Sequence, residues 1–151
     1  MEALFRKILC PIDFDRISIP ALTFARNLAR QNDATVYLLY VVSKRRSAPV
    51  EPGVEQFARD NLRAVARKWF EGKVRYEIAV RAGKPAVTVL KAAGELDADL
   101  IVMATHGRIG RARGQVGSVT EQVVRQSTCP VMTIRPLPSD KPSESIKTYL
   151  E

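Results

Sequence analysis

Five short apolar runs alternate along the chain with stretches whose apolar residues recur at helical spacing. Lys7 to Ile12 (Lys-Ile-Leu-Cys-Pro-Ile) is short, apolar and bounded by Asp13, as suits a buried parallel strand. Ala21, Leu22, Ala25, Leu28 and Ala29 then mark a helix, with Pro20 in its first turn and its end near Asn32-Asp33. Thr35 to Val42 is rich in β-branched and aromatic residues and predicts a strand. A loop over Ser43 to Gly53 carries the basic triplet Lys44-Arg45-Arg46, a solvated surface or an approach to an anion. Val54, Phe57, Ala58, Leu62, Val65, Ala66 and Trp69 predict an amphipathic helix that Gly72 stops. Val74, Tyr76, Ile78 and Val80 alternate with charged or small residues, the pattern of a half-buried strand near the sheet edge. Gly83-Lys84-Pro85 opens a third helix with Ala86, Val87, Leu90 and Ala93 on one face, and Gly94 weakens its centre. Asp99 to Met103 is the fourth strand. A fourth helix puts Val119, Val123, Val124 and Ser127 on one face, and Cys129 to Ile134 is the last strand.

The order is therefore β-α-β-α-β-α-β-α-β, which implies a parallel sheet with helices on both faces. Right-handed crossovers leave a doubly wound, five-stranded sheet in order 3-2-1-4-5 as the natural topology. One domain is expected over residues 1–136, with a mobile tail over 137–151 rich in Pro, Ser and charge. The switch point of such a sheet lies between the first and fourth strands, and ligands bind there, beyond the carboxyl ends. Asp13 ends the first strand, and a long Gly-rich loop, Ala104 to Ser118, follows the fourth. Two separate features thus converge on one crevice.

That loop holds four glycines, three arginines, the single histidine of the chain and no acidic residue. Glycine permits positive φ and close approach of backbone to a ligand, and free N–H groups at a helix start favour an anion. Phosphate is the anion that such a loop suits. Arg108, Arg111 and Arg113 can add charge. Asp13 can accept hydrogen bonds from a ribose or an adenine amino group, and Val41 can line an apolar slot for a base. A structural alternative stands beside each: Ser118-Val119-Thr120-Glu121 also reads as a capping box, and Asp13 also suits a turn after a strand. No G-x-G-x-x-G follows the first strand and no G-x-x-x-x-G-K-[ST] occurs, so the dinucleotide and P-loop fingerprints are absent. His106 has no Ser-His-Asp arrangement around it and is expected to be structural. No catalytic residue is assigned.

The net charge of +8 in 151 residues favours anionic partners, but aromatic and basic residues do not alternate as in a stacking surface, so nucleic acid is not the expected partner. Cys10 and Cys129 fit no metal or redox spacing. They fall toward opposite edges of the expected sheet, so no disulfide is expected. No apolar run is long enough to cross a bilayer, the start of the chain lacks the apolar core of a signal peptide, and a cytoplasmic location is expected.

Ile8-Leu9-Cys10-Pro11-Ile12-Asp13, Leu38-Leu39-Tyr40-Val41, Gly107 to Val119 and Cys129-Pro130-Val131 together resemble the universal stress protein family, of the nucleotide-binding kind, from about Lys7 to Arg135. That family's phosphate motif is G-x2-G-x9-G followed by Ser or Thr. Gly107 matches its second glycine, Gly117 its third and Ser118 its hydroxyl residue, while Ala104 stands at the first position. The resemblance implies a Rossmann-like fold of the adenine nucleotide alpha hydrolase type. It implies ATP as ligand, with Mg²⁺, bound by Asp13 and Val41 at the adenosine end. Pro11 and Ile12 would line the pocket through their backbone, and Gly107, Arg108, Gly117, Ser118 and Val119 would surround the phosphates. It implies a homodimer joined by the last strands, here Val131, Met132, Thr133 and Ile134, and a stress-response switch or chaperone-like factor with an unknown protein partner and at most slow ATP hydrolysis. A dimeric scaffold with a purely structural loop and a polyanion-binding module remain the alternatives.

Overall fold

The computed structural model describes residues 2–44, 49–105 and 116–135. Five strands, β1 (Lys7–Pro11), β2 (Thr35–Ser43), β3 (Arg75–Gly83), β4 (Leu100–Ala104) and β5 (Val131–Ile134), alternate with helices α1 (Ile19–Asn32), α2 (Val54–Trp69), α3 (Pro85–Leu96) and α4 (Ser118–Gln126). All strand pairs are parallel, and the order is β3-β2-β1-β4-β5. The alternation of apolar strand and amphipathic helix is the cause: strands buried on both faces need helices on both sides.

Side chains alternate across the sheet. Ile8, Cys10, Val36 and Leu38 point toward α1 and α2, where Leu22, Leu62, Val65 and Phe70 complete one core. Leu9, Leu39, Ile101 and Met103 point the other way, against Ala86, Val89, Ala93 and Val123 of α3 and α4. Cys10 lies on the central strand, not toward an edge, and both cysteines are free. Burial pushes the Cys10 thiol up to about 12, so at neutral pH it is protonated and packs as a small apolar group.

The helix ends follow local chemistry. Asp33 and Asp97 cap α1 and α3 in the left-handed conformation, which short polar residues tolerate. Pro85 starts α3, where its missing N–H costs nothing. The expected helix faces need correction at their margins. Val54 and Phe57 in α2, Val87 in α3 and Val124 in α4 are exposed. Val89 and Thr120 are buried in the last two helices. In α2 the first turn lies outside the packed stripe, which is Ala58, Leu62, Val65, Ala66 and Trp69. In α3 and α4 the helix rotation puts the neighbouring position against the sheet.

Candidate nucleotide site

The register of the sheet brings the candidate residues to one end. β1 pairs Leu9 with Ile101 of β4 and Pro11 with Leu39 of β2. Extended two residues beyond Pro11–Leu39 and four beyond Leu9–Ile101, these registers point Asp13 toward the level of Val41 and Thr105. This is the carboxyl end of the strands, where β1 and β4 send their chains to opposite faces. Pro11 is the last residue of β1, and the buried Ile12 follows it, its N–H donating to the Leu39 carbonyl at 2.9 Å. Val41 is half-buried on the α3 and α4 side of β2, two residues before the end of that strand.

Asp13 is half-buried and braced. Its Oδ1 accepts hydrogen bonds from the Asp15 N–H at 3.2 Å and from Ser18 Oγ at 3.0 Å. Ser18 Oγ also lies 3.2 Å from the Asp13 carbonyl. These contacts fold residues 13–18 into a compact turn that ends in one short helical turn, Arg16–Ser18, and leads into α1. Both bonds fall on one carboxylate oxygen, and four lone-pair sites are available on the group. Asp13 is therefore a turn residue whose carboxylate is held at the carboxyl end of β1 with acceptor sites to spare.

Across the crevice, β4 ends at the buried Ala104. Its carbonyl accepts the Thr120 hydroxyl at 2.9 Å. The Thr105 N–H donates to the Ile134 carbonyl at 3.1 Å, and the Thr105 carbonyl accepts the Gly117 N–H at 2.7 Å. The Gly-rich loop thus leaves β4 and re-enters α4 at the same point. Gly107, Arg108, Arg111, Arg113 and His106 lie outside the described residues, as do Arg45 and Arg46 of the basic triplet and the tail from residue 136.

At the start of α4 the expected capping box is not formed. The N-cap is Gly117, not Ser118, and no side chain among the described residues caps the helix. Gly117 supplies the first helical carbonyl, to the Glu121 N–H at 2.9 Å. Ser118 is the first helical residue, and its side chain is exposed. The N–H groups of Ser118, Val119 and Thr120 precede the first intrahelical donor and have no acceptor among the described residues. Gly117 has φ −62 and ψ 152, a conformation open to any residue, so glycine is not needed there for a positive φ. What glycine contributes at this position is the absence of a side chain.

At the carboxyl end of the sheet, then, the Asp13 carboxylate follows β1, and the Ser118, Val119 and Thr120 N–H groups, without acceptors among the described residues, open the helix that follows β4. The model of the universal stress protein family matches residues 4–135. The chain belongs to the universal stress protein family. It is similar to the universal stress protein MJ0531 of Methanocaldococcus jannaschii, 34% identical over 143 residues, 89% of this chain and 84% of that protein. Among solved structures, MJ0577 of the same organism superposes with a TM-score of 0.76 at 24% identity, covering 90% of this chain and 99% of that one. A universal stress protein from Archaeoglobus fulgidus in complex with dAMP gives a TM-score of 0.65 at 22% identity, with 87% and 98% coverage. A universal stress protein in complex with cAMP gives 0.66 at 18%, with 89% and 99% coverage. These likenesses establish the same fold.

For a universal stress protein with Ala at the first motif position, the burial of Ala104 matters: its methyl is packed at the strand end and leaves the fold intact. Two residues that sequence reasoning missed hold the candidate residues in place. Ser18 holds Asp13, and Thr120 ties α4 to β4. The Asp-x-Asp-x-x-Ser spacing before Pro20 was the available signal for the first, since short polar side chains in such a cluster fold back on their own turn. Nothing in the sequence marks the second, because its acceptor is a carbonyl sixteen residues away.

Proposed function

We propose that this protein binds an adenine nucleotide, ATP with Mg²⁺, in the crevice between β1 and β4. In the cytoplasm it acts as a nucleotide-sensitive stress-response switch or chaperone-like factor, with at most slow hydrolysis. The single observation that carries the ligand is the start of α4, where three N–H groups and the Ser118 hydroxyl have no partner among the described residues at the switch point. Asp13 supplies an acceptor for ribose or base, and the relatives crystallised with dAMP and cAMP carry adenine nucleotides. No group of three or more His, Cys, Asp or Glu gathers among the described residues. Mg²⁺ would travel on the phosphates, with Ser118 as its protein contact, in keeping with its preference for phosphate and water ligands.

Ser118→Ala tests this assignment. Because Ser118 is not the N-cap, its loss is expected to leave the unfolding midpoint of the free protein unchanged and to weaken ATP. A hydroxyl that only capped the helix would instead cost about 1 kcal/mol of stability and leave affinity intact. Titration with and without Mg²⁺, alongside thermal unfolding, separates the two.

We also propose a two-fold dimer through β5. Val131, Met132 and Ile134 are half-buried, Thr133 is exposed, and the strand pairs only with β4 among the described residues. An apolar edge of this kind needs cover. Met132→Asp is expected to shift sedimentation at micromolar concentration from dimer toward monomer. A wild-type protein that sediments only as monomer would refute the assignment.

A further inference from the structure

The opposite edge of the sheet is longer and less guarded. β3 pairs with β2 without interruption from Arg75 to Gly83, nine residues with no proline among them. Tyr76, Ile78 and Val80 are half-buried in the core that α2 shares, and the outer side of the strand has no neighbour in the sheet among the described residues. Natural sheets blunt such an edge by shortness, proline, bulges or charge. β3 uses charge alone: Arg75, Glu77 and Arg81.

The placing of these charges makes the edge complementary to itself. Glu77 and Arg81 stand two residues on either side of Ala79, on one face of the strand. Suppose two copies meet antiparallel about a two-fold axis at Ala79. Glu77 then stands directly opposite Arg81 of the second copy, and Arg81 opposite its Glu77. On the other face, Ile78 meets Val80, and Tyr76 meets Ala82. Opposite charges and apolar pairs in directly facing positions stabilise an antiparallel ladder, and reciprocal contacts of this kind are those of an isologous interface. Glu77 is exposed and has no ion-pair partner among the described residues. Arg81 bonds Glu95 at 2.7 Å, and a guanidinium with five donors can take a second carboxylate. Ala79, on the axis, is exposed and small. We propose that the β3 edge is a self-association surface whose occupant is a second copy of this chain, paired antiparallel about Ala79. This surface is distinct from β5 and does not rest on the nucleotide.

Ala79→Cys reads the pairing directly, because directly opposite residues across an antiparallel ladder come within disulfide reach. Cys129→Ser removes the accessible native thiol, and Cys10 is fully buried. Mild oxidation of the double variant is expected to give a covalent dimer. Adding Glu77→Arg sets like charges opposite each other twice and is expected to lower the yield about ten-fold. Adding Arg81→Glu to that variant is expected to restore it, with circular dichroism verifying the fold of each protein. The proposal is overturned if Ala79→Cys cross-links no better than Glu71→Cys, an exposed position outside the strand, or if the yield ignores the charges at 77 and 81.

Discussion

Gly117→Val is expected to reduce ATP binding below detection while leaving the protein folded. Valine adopts φ −62 and ψ 152 without strain, and its N–H can still donate to the Thr105 carbonyl as glycine does. The folding cost is that of a poorer N-cap residue, about 1 kcal/mol. The binding cost has a different source. Gly117 is half-exposed at the point where the loop re-enters α4. A branched side chain there occupies the space in front of the Ser118, Val119 and Thr120 N–H groups, and an anion has to approach closely to use them. Isothermal titration and thermal unfolding of the same sample measure the two costs separately. A variant that keeps its affinity would show that the phosphates do not sit at this helix start.

Phe70→Ala is expected to act in the opposite sense, lowering stability by about 3–5 kcal/mol with no change in the affinity of the molecules that remain folded. Phe70 is fully buried, caps α2 through its N–H to the Ala66 carbonyl at 2.8 Å, and sets its ring against Tyr76 at 6.0 Å between centroids. It precedes β3 and so lies at the amino ends of the strands, away from the crevice. Truncation removes apolar burial and leaves a cavity that helix and sheet cannot both close. Against a typical total of about 5–15 kcal/mol, the unfolding midpoint should fall by on the order of 10 °C. Denaturant unfolding checks the size of the change. A loss below about 1 kcal/mol would mean that the site collapses around the missing ring.

These two residues also show what was legible in the sequence. The apolar runs were long enough and separated regularly enough to give the five strands and four α-helices of the described residues, and the strand order. Parallel topology leaves little freedom once β and α alternate. Helix faces were legible to within one position. Val87 and Val89 are both apolar and two residues apart, and only the rotation set by packing on β1, β2 and β3 decides which is buried. What was legible of the candidate site is that Asp13 and the start of α4 follow β1 and β4, neighbours whose chains leave the carboxyl end of the sheet for opposite faces. Its details were not. Ser118-x-x-Glu121 satisfies the capping-box pattern, yet the N-cap is one residue earlier, because the Gly117 N–H is drawn to the Thr105 carbonyl and α4 is anchored there by Thr120. That tertiary bond has no local sequence signature. The same holds for the brace on Asp13, where a buried serine in a turn holds an acceptor that would otherwise rotate freely.

The most direct measurement of the central claim is isothermal titration of ATP with Mg²⁺ into the unmutated protein, with Gly117→Val as the paired control. Saturable heat from the wild type and none from the variant is the predicted result. No heat from the unmutated protein at millimolar ATP would contradict it and leave the Gly-rich loop a structural connection within a dimeric scaffold.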